Sequence, residues 1–221
     1  PTLDQLVPLG VDGIVVLGGH AQSAGLVSVV HGRIPAVFIG QRSGLPDDVA
    51  SVAIDQEAAA RTATRHLIEL GCSRLLHICG PSDWLDAHER RDGFQAVCEE
   101  AGIEPVKVSA GSWTASSGYL LGAQFPSGID GLFASNDHLA LGALRWLAEH
   151  GRSVPGEVAV VGIDDVDGSD SFLPPLTTIR QPHHEVGACA VGHLAELIGG
   201  RPARHTILEP ELIIRESTKG H

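Results

Sequence analysis

Five residues of this 221-residue chain carry side chains suited to a polyhydroxylated ligand: Asp55, Arg90, Trp113, Asn136 and Asp164. A guanidinium can bind two neighbouring hydroxyls, a carboxylate accepts, a carboxamide does both, and an indole face covers the apolar C–H side of a sugar ring. Each also has a plainer role open to it. Asp55 and Asn136 are good helix caps, Arg90 a surface ion-pair partner and Trp113 a core aromatic. What unites the five is position: each falls at a strand end or a helix start, and an open α/β sheet collects such positions along one edge. In Asp164 the pattern is plainest, because an apolar strand over residues 158–162 runs directly into Asp164 and Asp165, then into a loop of Asp, Ser, Gly and Pro. The same composition is ordinary turn chemistry, so the segment alone does not choose between ligand site and loop.

Other chemistries lack their residues. No Gly-Lys-Ser/Thr phosphate loop and no Gly-x-Ser-x-Gly nucleophile elbow occurs. Asp165, Asp167 and Asp170 resemble calcium ligands, but Gly168 comes too early for an EF-hand loop and Leu176 stands where its last glutamate is needed. His183 and His184 are adjacent, which on a helix turns them roughly 100° apart, and none of the twelve histidines falls in an HExxH frame. No catalytic residue, metal or cofactor is therefore expected. The four cysteines, Cys72, Cys79, Cys98 and Cys189, form no CxxC and no zinc spacing with histidine, which suits reduced thiols in a reducing compartment.

The elements that must position the five residues alternate between strand and helix, the mark of a parallel sheet with helices on its faces. Strand-like runs cover residues 11–17, 34–39, 51–54, 75–79, 106–109, 131–134, 158–162, 176–180, 206–208 and 212–215. Helical spacing predicts helices over 22–31, 56–70, 84–101, from Asn136 to a stop at Gly151, and over 183–198. The strand at 106–109 leads into AGSWTASSG. The composition resets near Pro81, a candidate boundary between two lobes.

A 43% hydrophobic content supports a substantial core, and the net charge of −12 with two lysines leaves nothing to neutralise a row of phosphates. These residues are thus not expected to bind DNA themselves. No run is long and apolar enough to span a membrane.

Eight segments, VDGIVV, VAIDQEAAARTATRHLIELGCSRLLHICGP, ERRDGF, GSWTASSG, FASNDHLALGALRWL, VPGEVAVVGIDD, PPLTTIRQP and LEPELIIRES, stand in the order of a known family. Together they resemble the effector-binding core of lactose-repressor-type (LacI/GalR) bacterial transcription regulators. The resemblance implies a periplasmic-binding-protein-like α/β fold: two Rossmann-like lobes with parallel sheets, joined by three crossovers, with the effector between them. It places the N-terminal lobe at 1–80 and 182–209 and the C-terminal lobe at 81–181 and 210–221, with the first strand and helix of the N-lobe and the DNA-binding headpiece missing. Arg90 in RRDGF, Asn136 in SND and Asp164 in GIDD fall on the family's effector contacts, Trp113 on its stacking aromatic and Asp55 on an N-lobe polar contact. His183 sits where relatives often carry an aromatic ring.

The implied function is effector sensing and homodimerisation in a cytoplasmic transcriptional repressor, without catalysis. A small effector, carbohydrate in class by the residue set, would modulate operator binding by the absent headpiece. A periplasmic sugar-binding protein of an uptake system is the alternative. A glycosidase using Asp55 and Asp164 ranks last, since paired carboxylates are its only support.

Overall fold

A computed structural model describes residues 10–20, 23, 25, 27, 32–42 and 44–220. The helix predicted over 22–31 lies outside the described residues apart from Ser23, Gly25 and Val27, which are helical. The chain divides into two compact units, one of Pro1–Asp55 with Pro182–Glu209 and one of Gln56–Gln181 with Pro210–His221. It therefore passes between units three times, after Asp55, Gln181 and Glu209.

In the smaller unit, strands β1 (Ile14–Leu17), β2 (Ala36–Ile39) and β3 (Ala50–Ile54) line up with β9 (His205–Leu208) in the order β1-β2-β3-β9, all parallel. Alternate residues of these strands point to opposite faces. Ala36 and Phe38 accordingly join Ile14 and Val16 in one buried cluster, while Val37 joins Val52, Val186 and Ala190 in the other. Val186 and Ala190 belong to helix α5 (His183–Ile198), which covers that second face. His193 of α5 reaches Thr206 of β9 at 2.9 Å and so ties the returning chain to the sheet.

The larger unit holds a six-stranded sheet in the order β10-β8-β7-β6-β4-β5. Its strands are β4 (Leu75–Cys79), β5 (Val106–Ser109), β6 (Gly131–Ala134), β7 (Ala159–Asp164), β8 (Thr177–Arg180) and β10 (Glu211–Ile213). All pairs are parallel except β10 with β8, a short antiparallel edge. Leu76, Ile78, Leu132, Ala134 and Val160 face helix α4 (Asp137–Glu149), whose Leu139, Ala140, Ala143, Leu144 and Leu147 are buried against them. On the other face Leu75, Phe133, Val161 and Ile163 meet α1 (Gln56–Glu69) and α2 (Leu85–Ala101) through Ala59, Ala60, Ala63, Leu67 and Phe94. Burying a side chain such as Phe133 contributes about 1.5–3 kcal/mol.

Two expectations are corrected here. The first lobe boundary lies between Asp55 and Gln56 and not near Pro81, because β4 pairs with β5 and β6 inside the larger sheet and α1 packs on that same sheet. Gly80-Pro81 ends a strand and does not divide the lobes. Second, residues within TASSG form part of a helix, α3 (Ala115–Leu121), that the sequence does not announce. Thr114 caps it by accepting from Ser117 N, and its Gly118 meets Gly142 of α4 so closely that neither can carry a side chain.

Candidate functional site

Parallel strands in register deliver their C-terminal ends to one edge, and in the larger unit five neighbouring strands do so. Asp164 ends β7, Gln181 follows β8, Asn136 stands two residues past β6, Gly80 follows β4, and Trp113 lies in the loop after β5. The strand order reverses direction between β4 and β6, which is where an open sheet splays its loops apart.

Arg90, on α2, is buried at 4% exposure. Its Nε donates to Gln56 Oε1 at 2.8 Å and its Nη1 to the Ser135 carbonyl at 2.5 Å. Behind it His77 of β4 is stacked on Phe133 at 4.5 Å and fully buried. Phe133 O can only accept from His77 Nδ1 at 3.0 Å, so that nitrogen carries the proton and Nε2 accepts from Ser135 Oγ at 3.3 Å. Burial pushes this imidazole down to about 3, which keeps it neutral.

Trp113 lies beside the same guanidinium, whose carbon is 5.7 Å from the ring centroid. Trp84 meets it edge-on at 5.8 Å. The ring sits directly over Gly80, where a Cβ would come within 2.0 Å of the indole. Its Nε1 is buried and finds no acceptor among the described residues. Asn136 caps α4, its Oδ1 accepting from Leu139 N at 2.8 Å, while its Nδ2 donates to the Trp113 carbonyl at 3.1 Å. The cap bond and the bond to the Trp113 loop thus coexist in one side chain.

Asp164 is held in an unusual backbone state, with φ 121°, followed by Asp165 at φ 55°. Non-glycine residues at such angles cost on the order of 1–3 kcal/mol each, and surrounding bonds must offset that. Asp137 supplies several of them: its Oδ2 accepts from Val166 N at 3.0 Å and its Oδ1 from Thr178 Oγ1 at 2.5 Å. Gly162 is required beneath it, since a Cβ there would lie 2.3 Å from Asp137 Oδ1. Asp165 anchors the loop through Arg215 and Arg180, each at 2.7 Å. Burial opposes its ionisation, but the bonds from Arg215, Arg180 and Ser169 outweigh it and hold the carboxyl below its ordinary range.

The larger unit therefore brings together Arg90, Trp113, Asn136 and Asp164. Asp55 and His183 belong to the smaller unit. Asp55 follows β3 and its N–H donates to Leu208 O at 3.1 Å, and His183 is exposed at the start of α5. Sequence reasoning missed Gln56, Gln181 and Asp137. The first two read as a helix start and a crossover residue, and only their place beside the crossings marks them. Among the described residues no group of three His, Cys, Asp or Glu side chains is arranged to hold a metal.

Comparison with known proteins agrees with this architecture. The family described as periplasmic binding protein-like domain matches residues 64–218. The HTH-type transcriptional regulator CelR of Thermobifida fusca is 35% identical over 216 residues, 94% of this chain and 63% of that protein. The lactose operon repressor of Escherichia coli K12 is 30% identical over 200 residues, 89% of this chain and 55% of the repressor. A solved CelR–cellobiose complex has a TM-score of 0.88 at 32% identity, covering 97% of this chain and 68% of that one. A dimeric Lac repressor structure has a TM-score of 0.87 at 28% identity, covering 97% and 80%. The chain thus spans little more than half of the repressor and under two thirds of CelR. With a match over most of its length and the shared two-unit fold, the chain belongs to the periplasmic-binding-protein-like family, as the effector-binding core of a LacI/GalR-type transcriptional regulator.

Proposed function

We propose that this chain senses a carbohydrate effector, forms a homodimer and modulates operator binding by a headpiece outside these residues, as the core of a LacI-type transcriptional repressor. The observation that carries the reading is the cluster of Arg90, Trp113, Asn136 and Asp164 at one sheet edge: a bidentate donor, a flat apolar face, an amide and a carboxylate, the set a sugar requires. No step of this function is catalytic. An effector alters operator affinity only through its differential affinity for two arrangements of the protein.

Relatives support each part within what their names say: one is bound to cellobiose, and the Lac repressor dimer is bound to operator. No helix among the described residues is long and apolar enough to cross a membrane. We place the protein in the cytoplasm because operator DNA is there.

Titration of the chain with cellobiose, lactose, ribose, galactose and a nucleoside, followed by tryptophan fluorescence, tests the reading. Trp113 makes the site its own reporter, and at least one sugar should give a saturable change. Silence from all of them, or chemical turnover of any, would overturn it.

A further inference from the structure

Arg90 and Asp164 are joined by an unbroken line of hydrogen bonds, buried from Arg90 to Gln181 and half-buried where it reaches Asp164. Arg90 Nε donates to Gln56 Oε1 at 2.8 Å, Gln56 Nε2 donates to Gln181 Oε1 at 2.7 Å, and Gln181 Nε2 donates to Asp164 Oδ1 at 2.5 Å. Gln56 is 5% exposed and Gln181 7%. The direction of the line follows from chemistry: a guanidinium has no acceptor and a carboxylate no donor. Gln56 must turn its carbonyl to Arg90, so its NH2 faces Gln181, whose own NH2 then faces Asp164. Either amide reversed would oppose donor to donor and acceptor to acceptor, leaving buried groups unpaired.

The line engages only the inner atoms of its two ends. Among the described residues Arg90 Nη2, which carries two N–H donors, and Asp164 Oδ2 make no hydrogen bond, so both atoms remain for a ligand. Buried amides also exchange a flexible pair of charged side chains for a fixed one, which lowers the ordering cost of binding.

We propose that Gln56 and Gln181 are the positioning residues of the ligand site: a one-way relay, Arg90 to Gln56 to Gln181 to Asp164, sets the orientation of both charged contacts. It thereby selects ligands whose hydroxyls offer an acceptor to Arg90 and a donor to Asp164 at that fixed separation. This rests on the effector reading above.

The test uses Gln181→Glu and Gln56→Glu in the full chain. At position 181 a carboxylate would face Asp164, and at position 56 it would face the Gln181 carbonyl; in both, a proton restores the missing donor. Asp164 also faces Asp137 and Asp165, the latter held by Arg180 and Arg215, and His183 lies two residues beyond Gln181. Each variant is therefore compared with wild type at the same pH.

Relative to wild type, Gln181→Glu should melt several degrees lower at about pH 8 and approach it at about pH 5.5, because paired carboxylates take up a shared proton as pH falls. Its affinity for whichever of cellobiose, lactose, ribose or galactose binds wild type should drop about tenfold at the higher pH and recover to within about twofold at the lower. Gln56→Glu should show the same sign with a smaller pH-dependent offset, because the Arg90 guanidinium at 2.8 Å favours its charged form, and serves if the first variant fails to fold. A melting offset independent of pH in both variants overturns the relay. Unchanged sugar affinity in both at the higher pH, where Asp164→Ala abolishes binding, overturns the positioning role. Unchanged affinity in Asp164→Ala, or no sugar binding to wild type, sinks the effector reading instead, and melting then decides the relay alone.

Discussion

Asp137 shows how one buried carboxyl can hold a strained turn from beneath. It has no exposed surface, takes bonds from Thr178 and Val166, and sits below the strained Asp164–Asp165 turn. Burial, aided by the neighbouring Asp164 and Asp165, pushes its carboxyl up to about 7, against the two bonds that favour the charge. A folded-state value raised above the unfolded one means that the stability contributed is full below about pH 4 and lost as pH rises to about 7. His77 acts with the opposite sign: its value, lowered to about 3 by burial, makes its contribution full above about pH 6.5 and lost as pH falls. The two slopes oppose each other across the acid range, so the wild type should be flatter than either alone. Asp137→Asn should uncover the His77 slope, with stability rising more steeply from about pH 4 to 6.5 than in wild type. Urea titrations across that range check it; a profile parallel to wild type would show that Asp137 does not hold a raised value.

Among the helices, the crossing of α3 and α4 depends on two missing side chains. A Cβ at Gly142 would lie 2.0 Å from Ala115 O, and one at Gly118 would lie 2.2 Å from Leu139 O. Both clashes are with backbone, which no rotamer change relieves. Gly142→Ala should therefore destabilise the chain by about 1–3 kcal/mol, although alanine is the better helix former. Chemical denaturation measures this, and a stabilised variant would mean the helices can part freely. The same contact explains why α3 was illegible in the sequence: Ala, Ser, Ser and Gly give it no apolar stripe of its own, and packing on α4 makes it helical. By contrast α4 was readable throughout, because Asn136 caps it and Ala140, Ala143, Leu144 and Leu147 recur at helical spacing. Strands β4 and β6 were equally plain as short apolar runs, and β5 as an alternation of apolar and polar residues after Pro105.

At the scale of the whole molecule, three crossings divide the chain into units that each close their own sheet. β9 completes the smaller sheet from a segment about 150 residues beyond β3, and β10 completes the larger one from the C-terminal stretch. Both additions are non-local, so neither lobe is whole until most of the chain is in place. For the proposed homodimer, sedimentation over a range of concentrations should give a species of twice the chain mass. A monomer at every concentration would count against the dimerising role while leaving ligand sensing intact.

By itself the sequence determined the alternation of strands and helices, their caps and stops, and the residue types at the strand ends. These depend on periodicity and local hydrogen bonding, which operate over a few residues. It also determined the chemical character of the candidate site, since Arg90, Trp113, Asn136 and Asp164 are recognisable by type and place. Only the tertiary structure decided that residues 56–80 belong to the larger unit, because β4 is claimed by pairing with strands that follow it. Only there, too, do Gln56 and Gln181 meet, across 125 residues of chain. Two glutamines have no periodicity and no local partner to announce them; a guanidinium at one end and a carboxylate at the other, brought to one sheet edge, give them their orientation and their role.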